Sequence, residues 1–206
     1  MASNQKKYYI SDLHFYNSFQ DDEVKVKNLE IIEAINNKVN YNDKLFILGD
    51  LTMSSSNPLR LLVKLLPMVI CKNIYIIQGN HDEPRVLDAL VTMKLIKNWT
   101  STVKIVKDSA FDQAFELALS HYPISNMYMI KRPLAMLHGH THGDDKFAFP
   151  EQFDVSLEVY KEPMTFEEIL SKHYGHYANP LLGYIDYMKK FEVAYADFYD
   201  RINREQ

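Results

Sequence analysis

The sequence predicts an α/β fold, and three observations carry that expectation. Short apolar runs alternate with segments whose apolar residues recur at helical steps. The order strand, loop, helix, strand repeats through the first eighty or so residues. Each apolar run gives way at its carboxyl end to Asp, Asn or His, and that is the edge at which α/β sheets build their sites.

Tyr8-Tyr9-Ile10 is a short aromatic and β-branched strand that runs into Ser11-Asp12-Leu13-His14. Asp21 and Asp22 introduce Val24, Leu29, Ile32 and Ile35 at helical spacing, which predicts an amphipathic helix over 22–39. Asn42-Asp43 turns the chain into the near-continuous apolar strand Lys44–Leu48, which ends in Gly49-Asp50. Pro58 opens a second helix over Leu59–Leu66. The strand Asn73–Ile77 then ends in Gly79-Asn80-His81-Asp82, and Pro84 starts a third helix to about Met93.

Two more strands are expected at Val103–Val106 and Phe115–Leu119, as a hairpin, the second ending in Ser120-His121-Tyr122-Pro123. Leu134-Ala135-Met136-Leu137 reads as a buried strand that opens into His138-Gly139-His140-Thr141-His142-Gly143. In extended backbone His140 and His142 face the same way, as do Asp12 and His14, and Gly139 and Gly143 let the flanking chain turn. A last strand is expected around Phe153–Tyr160, and Thr165 with Glu168 three residues on is a helix N-cap.

From about 171 the character changes. His173, Tyr174, His176 and Tyr177 make an aromatic connector, in which the two histidines read as packing residues. Leu182, Ile185, Met188, Phe191, Tyr195, Phe198 and Ile202 then predict a long amphipathic C-terminal helix. The expected organisation is a main domain over 1–170 and an appendage over 171–206, packed on that domain or at a dimer contact.

Composition narrows the partners. The 206 residues are 47% hydrophobic and carry a net charge of -4, so no global basic field awaits a long nucleic acid. One cysteine, Cys71, excludes an internal disulfide and a thiolate metal site, reads as a small core residue, and fits a reducing, cytoplasmic setting. No apolar run approaches the roughly 20 residues that span a bilayer, and the N-terminus lacks the apolar stretch of a signal peptide.

Collected, the strand-end residues are Asp12, His14, Asp50, Asn80, His81, His121, His140 and His142. Carboxylate, imidazole and amide oxygen are ligands for Mn²⁺, Fe, Zn²⁺ or Ni²⁺, and there are too many for one ion. Two divalent ions roughly 3.5–4 Å apart, sharing one carboxylate, use them all. His138 points away from its neighbours by strand alternation and reads as structural. Tyr16, Tyr122 and the Thr52–Ser56 loop adjoin ligand blocks and are candidates to line a cleft.

Asp12-x-His14, Gly49-Asp50, Gly79-Asn80-His81-Asp82, Ser120-His121 and Gly139-His140-Thr141-His142 resemble, in order, the five blocks of the calcineurin-like metallophosphoesterase superfamily. The resemblance covers about 8–160. It implies a two-sheet β-sandwich flanked by helices (an αββα arrangement) and a phosphoesterase that attacks phosphorus with a hydroxide bridging two metals. It assigns Asp12, His14 and His142 to the first metal, Asp50 to the bridge, and Asn80, His121 and His140 to the second. His81 resembles the family's histidine that contacts the phosphate and protonates the leaving oxygen, with Asp82 holding its tautomer.

Departures narrow the substrate. Arginines that follow the Gly-Asp block in protein phosphatases are replaced by Leu51-Thr52-Met53, and Asp82 stands where that branch has Glu. Asn17 occupies the position of a further histidine found in compact bacterial and phage members, which Asp154–Val159 and Pro163-Met164-Thr165 otherwise resemble. The expected substrate is a small phosphate ester, a phosphodiester or nucleotide foremost, with Mn²⁺ the favoured metal. The rivals are a nuclease of the same superfamily and a silent interaction scaffold of the same fold.

Overall fold

The computed structural model describes residues 5–16, 22–53, 57–124, 134–144, 152–175, 179–180, 182–186 and 189–190. Its layers follow from strand alternation. In β1 (Lys7–Ile10), Tyr8 and Ile10 face one way and Tyr9 the other. With Leu45 and Ile47 of β2 (Lys44–Ile47) and Ile74 and Ile76 of β3 (Asn73–Ile77), the first face meets three helices. These are α1 (Asp22–Lys38), α2 (Pro58–Leu65) and α3 (Pro84–Thr92), which bury Ile32, Ile35, Leu61, Leu62, Leu87 and Leu90 against it. Pro58 and Pro84 open their helices where a missing N–H costs nothing, as the sequence predicts.

The opposite face carries Tyr9, Phe46, Leu48 and Ile77 onto a second sheet. Its members are β5 (Lys104–Ala110), β6 (Gln113–Leu119), β7 (Leu134–His138) and β8 (Gln152–Asp154). Leu117, Leu119, Ala135, Leu137 and Phe153 meet the first sheet across this interface. The first sheet is parallel, in the order β1-β2-β3-β4, with β4 at Asn98–Thr100. In the second, β5 and β6 form the expected antiparallel hairpin, and β6, β7 and β8 run parallel. The hairpin turns on Phe111 and Asp112, both left-handed, which is the twist a two-residue loop needs.

One stitch holds the sheets together beside the site. The Ser11 N–H donates to the Val155 carbonyl at 2.9 Å, and the Leu157 N–H donates to the Ser11 carbonyl at 3.0 Å. The end of β1 is thereby tied to the chain leaving β8, and the loops after β1, β2, β3, β6 and β7 gather at one rim. Helix α5 (Phe166–Tyr174) packs Phe166, Ile169 and Leu170 into the intersheet core. It opens on the capping box of Thr165 and Glu168.

Three expectations change. The last strand ends at Asp154 rather than Tyr160, because Leu157–Tyr160 turns into a short helix, α4, once Ser156 has paired with Ser11. Strand β4 was not foreseen; three residues, Asn98-Trp99-Thr100, show no alternation from which to read it. The compositional change at 171 falls inside α5 and marks no break in secondary structure. Tyr184, 2% exposed, packs its ring edge-on or tilted against Phe115, Phe153 and Tyr174, so this part of the C-terminal segment joins the same core. The predicted C-terminal helix beyond 190, and His176 and Tyr177, lie outside the described residues. No described helix is long and apolar enough to cross a membrane.

Candidate metal centre

The site begins as a backbone irregularity. Asp12, His14, Asp50, His140 and His142 all have positive φ, from 43° to 71°. Such a conformation costs a side-chain-bearing residue about 1–2 kcal/mol and clusters at functional sites. The expected extended geometry of the two i, i+2 pairs is therefore corrected. The strands have ended, and each pair converges because both its members are left-handed. Gly49, at φ 96°, adds the turn before Asp50, and a Cβ there would lie 2.7 Å from the Gly79 Cα.

All seven residues predicted as ligands come to this rim. Asp12, His14 and His142 place ligand atoms within 4.8 Å of one another, and so do Asp12, Asp50 and His121. The Asp12 Oδ1 lies 3.7 Å from the His14 Nε2 and 3.6 Å from the His142 Nε2. The Asp50 Oδ2 lies 3.9 Å from the His14 Nε2 on one side and 3.5 Å from the His121 Nε2 on the other. Asp50 thus stands between the two sets. Asn80 joins through its Oδ1, 2.9 Å from the His121 Nε2. The His140 ring lies 5.1 Å from that of His121, and the His140 backbone N–H donates to the Asp12 Oδ2 at 3.0 Å. His81 stands at the mouth, half-buried, with its Nε2 3.9 Å from the Asp50 Oδ2 and its backbone N–H on the Asp50 Oδ1 at 2.9 Å.

The donor chemistry fits cations. The Asp12 Oδ1 is buried and accepts no hydrogen bond. The His121 Nδ1 faces the Leu48 carbonyl at 2.8 Å, which can only accept, so the ring proton resides there. Its Nε2 then turns a lone pair toward the Asn80 Oδ1, itself an acceptor. Lone pairs that meet without a proton between them are what a divalent ion satisfies. Burial pulls the His14 and His140 imidazoles below their ordinary range, which favours the neutral, ligating form.

Three further carboxylates hold this arrangement. Asp82, expected to orient His81, turns its carboxylate to the backbone instead. Its Oδ2 accepts from the Asp50 N–H at 2.9 Å and the Gly79 N–H at 3.0 Å, and its Oδ1 accepts from the Leu51 N–H at 2.9 Å. It clips two ligand loops together. Asp154 does the same for the His140–Gly143 loop. Its Oδ2 accepts from the Thr141 hydroxyl and the Gly143 N–H, both at 2.7 Å, and its Oδ1 accepts from the Ser156 N–H at 2.7 Å. Burial works against its charge, but these donors outweigh it and hold the carboxyl below the usual range.

Glu158 places its Oε1 3.1 Å from the His142 Nδ1. Burial lowers His142, but the hydrogen bond and charge of Glu158 outweigh that and raise it. Sequence reading missed Glu158 altogether and gave Asp154 no role in the site. Both lie beyond the last ligand block, with nothing in their spacing to distinguish them from solvated acids. The readings of His138, Cys71 and His173 as packing residues hold. His138 is fully buried, with its Nδ1 2.9 Å from the Gly139 carbonyl, and Cys71 is buried with its thiol on the Asp43 carbonyl. The His173 Nε2 lies 2.8 Å from the Tyr160 hydroxyl, so His173 packs in the connector as expected. The Tyr122 ring lies 4.8 Å from that of His140, whereas Asn17 and residues 54–56 lie outside the described residues.

Comparison with known proteins agrees with this geometry. No curated protein matches the sequence. Among solved structures, a protein of unknown function, AQ665 from Aquifex aeolicus, shares 20% identity at a TM-score of 0.54. The match covers 81% of this chain and 98% of that one, and at such identity it speaks to the fold alone. The family model for calcineurin-like phosphoesterases matches residues 8–199. On that match, which spans every ligand block, the chain belongs to the calcineurin-like phosphoesterase family.

Proposed function

We propose that the protein hydrolyses small phosphate esters, phosphodiesters and nucleotides foremost, with two divalent ions, Mn²⁺ favoured. The observation that carries this reading is the meeting of seven side chains from five segments around acceptor atoms that lack a proton between them. Asp12, His14 and His142 would hold one ion, Asn80, His121 and His140 the other, and Asp50 both. When bound, such a pair activates a water and neutralises charge on the phosphoryl oxygens.

The chain's own residues supply the rest. A water oxygen forms a bond to phosphorus and releases one proton to solvent, and the bond from phosphorus to the alcohol oxygen breaks with its electron pair going to that oxygen. His81, at the mouth of the cluster and with its backbone fastened to Asp50, is placed to donate to the phosphoryl oxygen and to give the departing alcohol its proton. Asp82 positions Asp50, Asp154 positions the His140–Gly143 loop, and Glu158 fixes the His142 ring with Nε2 facing Asp12.

The test is a panel of nitrophenyl mono- and diesters, nucleotides and single-stranded DNA, assayed with Mn²⁺, Ni²⁺, Zn²⁺ and Mg²⁺. Metal-dependent turnover of a small ester that vanishes in Asp50→Asn supports the reading. A metal-free chain that turns over nothing on the panel contradicts it.

A further inference from the structure

A cleft of about 280 Å³ opens directly off the metal cluster, with Asp12 and His14 in its inner wall. One side is α1, with the exposed Lys27 and Glu30 and the buried Ile31. The other is the α4 segment, with Leu157 and Lys161, and Tyr16 stands at the rim. The proposed chemistry uses none of these six residues.

The wall is built, not incidental. Tyr16 follows the left-handed His14 by two residues, and its backbone is clamped to α1 in both directions. Its N–H donates to the Asn28 Oδ1 at 3.0 Å, and the Asn28 Nδ2 donates to its carbonyl at 2.9 Å. Asn28 itself is 4% exposed, so this clamp is sheltered from water. The Tyr16 ring, left 39% exposed, has the Lys27 ammonium 5.8 Å from its centre. Lys161 caps α4 in a left-handed conformation, φ 64°, and faces the same cleft.

We infer that this cleft is the subsite for the half of the ester beyond the reacting phosphorus, and that it takes a nucleoside. The inference rests on the phosphoesterase reading, and its chemistry follows from the walls. The cleft volume lies at the lower edge of the roughly 300–1,000 Å³ typical of ligand pockets, which suits one small ring-bearing group rather than a polymer. The exposed Tyr16 ring offers a planar base a stacking surface, and Ile31 and Leu157 add aliphatic wall to the same cleft. Glu30 accepts from hydroxyl or amino groups, and Lys27 and Lys161 donate to ring nitrogens, carbonyls or a further phosphate. A simple alkyl ester would leave all of these unused.

The test compares two substrates with the same leaving group, the nitrophenyl ester of thymidine 5′-phosphate and methyl nitrophenyl phosphate, each with Mn²⁺. The wild-type enzyme is expected to prefer the nucleoside ester. Tyr16→Ala and Lys27→Ala, both at exposed side chains, are expected to lower the ratio of the two kcat/KM values about tenfold, through KM. Ala34→Phe, which fills the cleft from α1, is expected to lower it further. An unchanged ratio in all three variants overturns the subsite.

If the wild type hydrolyses neither ester, the wider panel of mono- and diesters decides the phosphoesterase reading, and direct binding of adenosine monophosphate decides the subsite by calorimetry. Weaker binding by about tenfold in Tyr16→Ala and Ala34→Phe supports it. Equal affinity in all variants, or no binding to the wild type, overturns it.

Discussion

Replacing Gly139 by alanine tests how closely the ligand loops are fitted. Gly139 keeps φ negative, so no backbone strain opposes a side chain there; the obstacle is space. A Cβ would lie 2.0 Å from the Ser11 Oγ and 2.2 Å from the Asp12 Oδ2. To reach the 3.4 Å of ordinary contact those atoms must retreat by about 1.4 and 1.2 Å. The Ser11 hydroxyl would lose its 2.7 Å hydrogen bond to the Leu48 carbonyl, and Asp12 its bond from the His140 N–H. Overpacking of this kind costs about 1–3 kcal/mol and each of the two bonds about 1 kcal/mol, for a total of about 3–5 kcal/mol.

In a chain of 206 residues, each kcal/mol lowers Tm by about 2–4 °C, so the metal-free variant should melt about 6–20 °C lower. A ligand displaced by more than 1 Å also costs turnover, about a hundredfold. Gly143→Ala is the control. Its φ is 85°, but the nearest atom to a new Cβ is the Val159 Cγ2 at 3.4 Å, so it bears backbone strain of about 1–2 kcal/mol and no collision. Melting curves in a chelator, followed by Mn²⁺ titration, separate the two effects. If Gly139→Ala melts and binds Mn²⁺ like the wild type, the close approach described here is wrong.

Other outcomes follow from the same geometry. Asp154→Asn keeps at best two of the three donors satisfied and should destabilise the protein by about 1–3 kcal/mol at neutral pH. Because the Asp154 carboxyl is held below its ordinary value, its contribution is present above the carboxylate range and is lost as pH falls through the depressed value. The Tm gap between wild type and variant should therefore narrow in acid, and a gap that widens would count against the assignment. Glu158→Gln should weaken Mn²⁺ binding about 10–100-fold with little change in metal-free Tm, as read by calorimetry, since Glu158 is exposed and touches the His142 Nδ1. Asp50→Asn and His142→Ala should nearly abolish Mn²⁺-dependent hydrolysis in a nitrophenolate assay while leaving a folded protein by circular dichroism.

The parts of the fold legible in the sequence are those with a local cause. Apolar runs marked β1, β2, β3, β6 and β7, prolines marked the starts of α2 and α3, and Thr165 with Glu168 marked α5. The ligand blocks were legible because each directly follows a strand, and the topology brings strand ends to one rim. What stayed hidden depends on contacts distant in sequence. Val155–Tyr160 has an apolar content that suits a strand, yet pairing with Ser11 halts the sheet and leaves Glu158 beside His142. The left-handed ligands were hidden for another reason. Aspartate and histidine are permitted but not required there, so strain at Asp12, His14, Asp50, His140 and His142 leaves no trace in composition.

The central claim is that Asp50 stands between two cation sites. Anomalous scattering from crystals soaked in Mn²⁺ tests it most directly. The account predicts two peaks about 3.5–4 Å apart, one beside Asp12, His14 and His142 and one beside Asn80, His121 and His140, with the Asp50 carboxylate touching both. A single peak that leaves Asp50 untouched, or manganese bound elsewhere on the molecule, would contradict it.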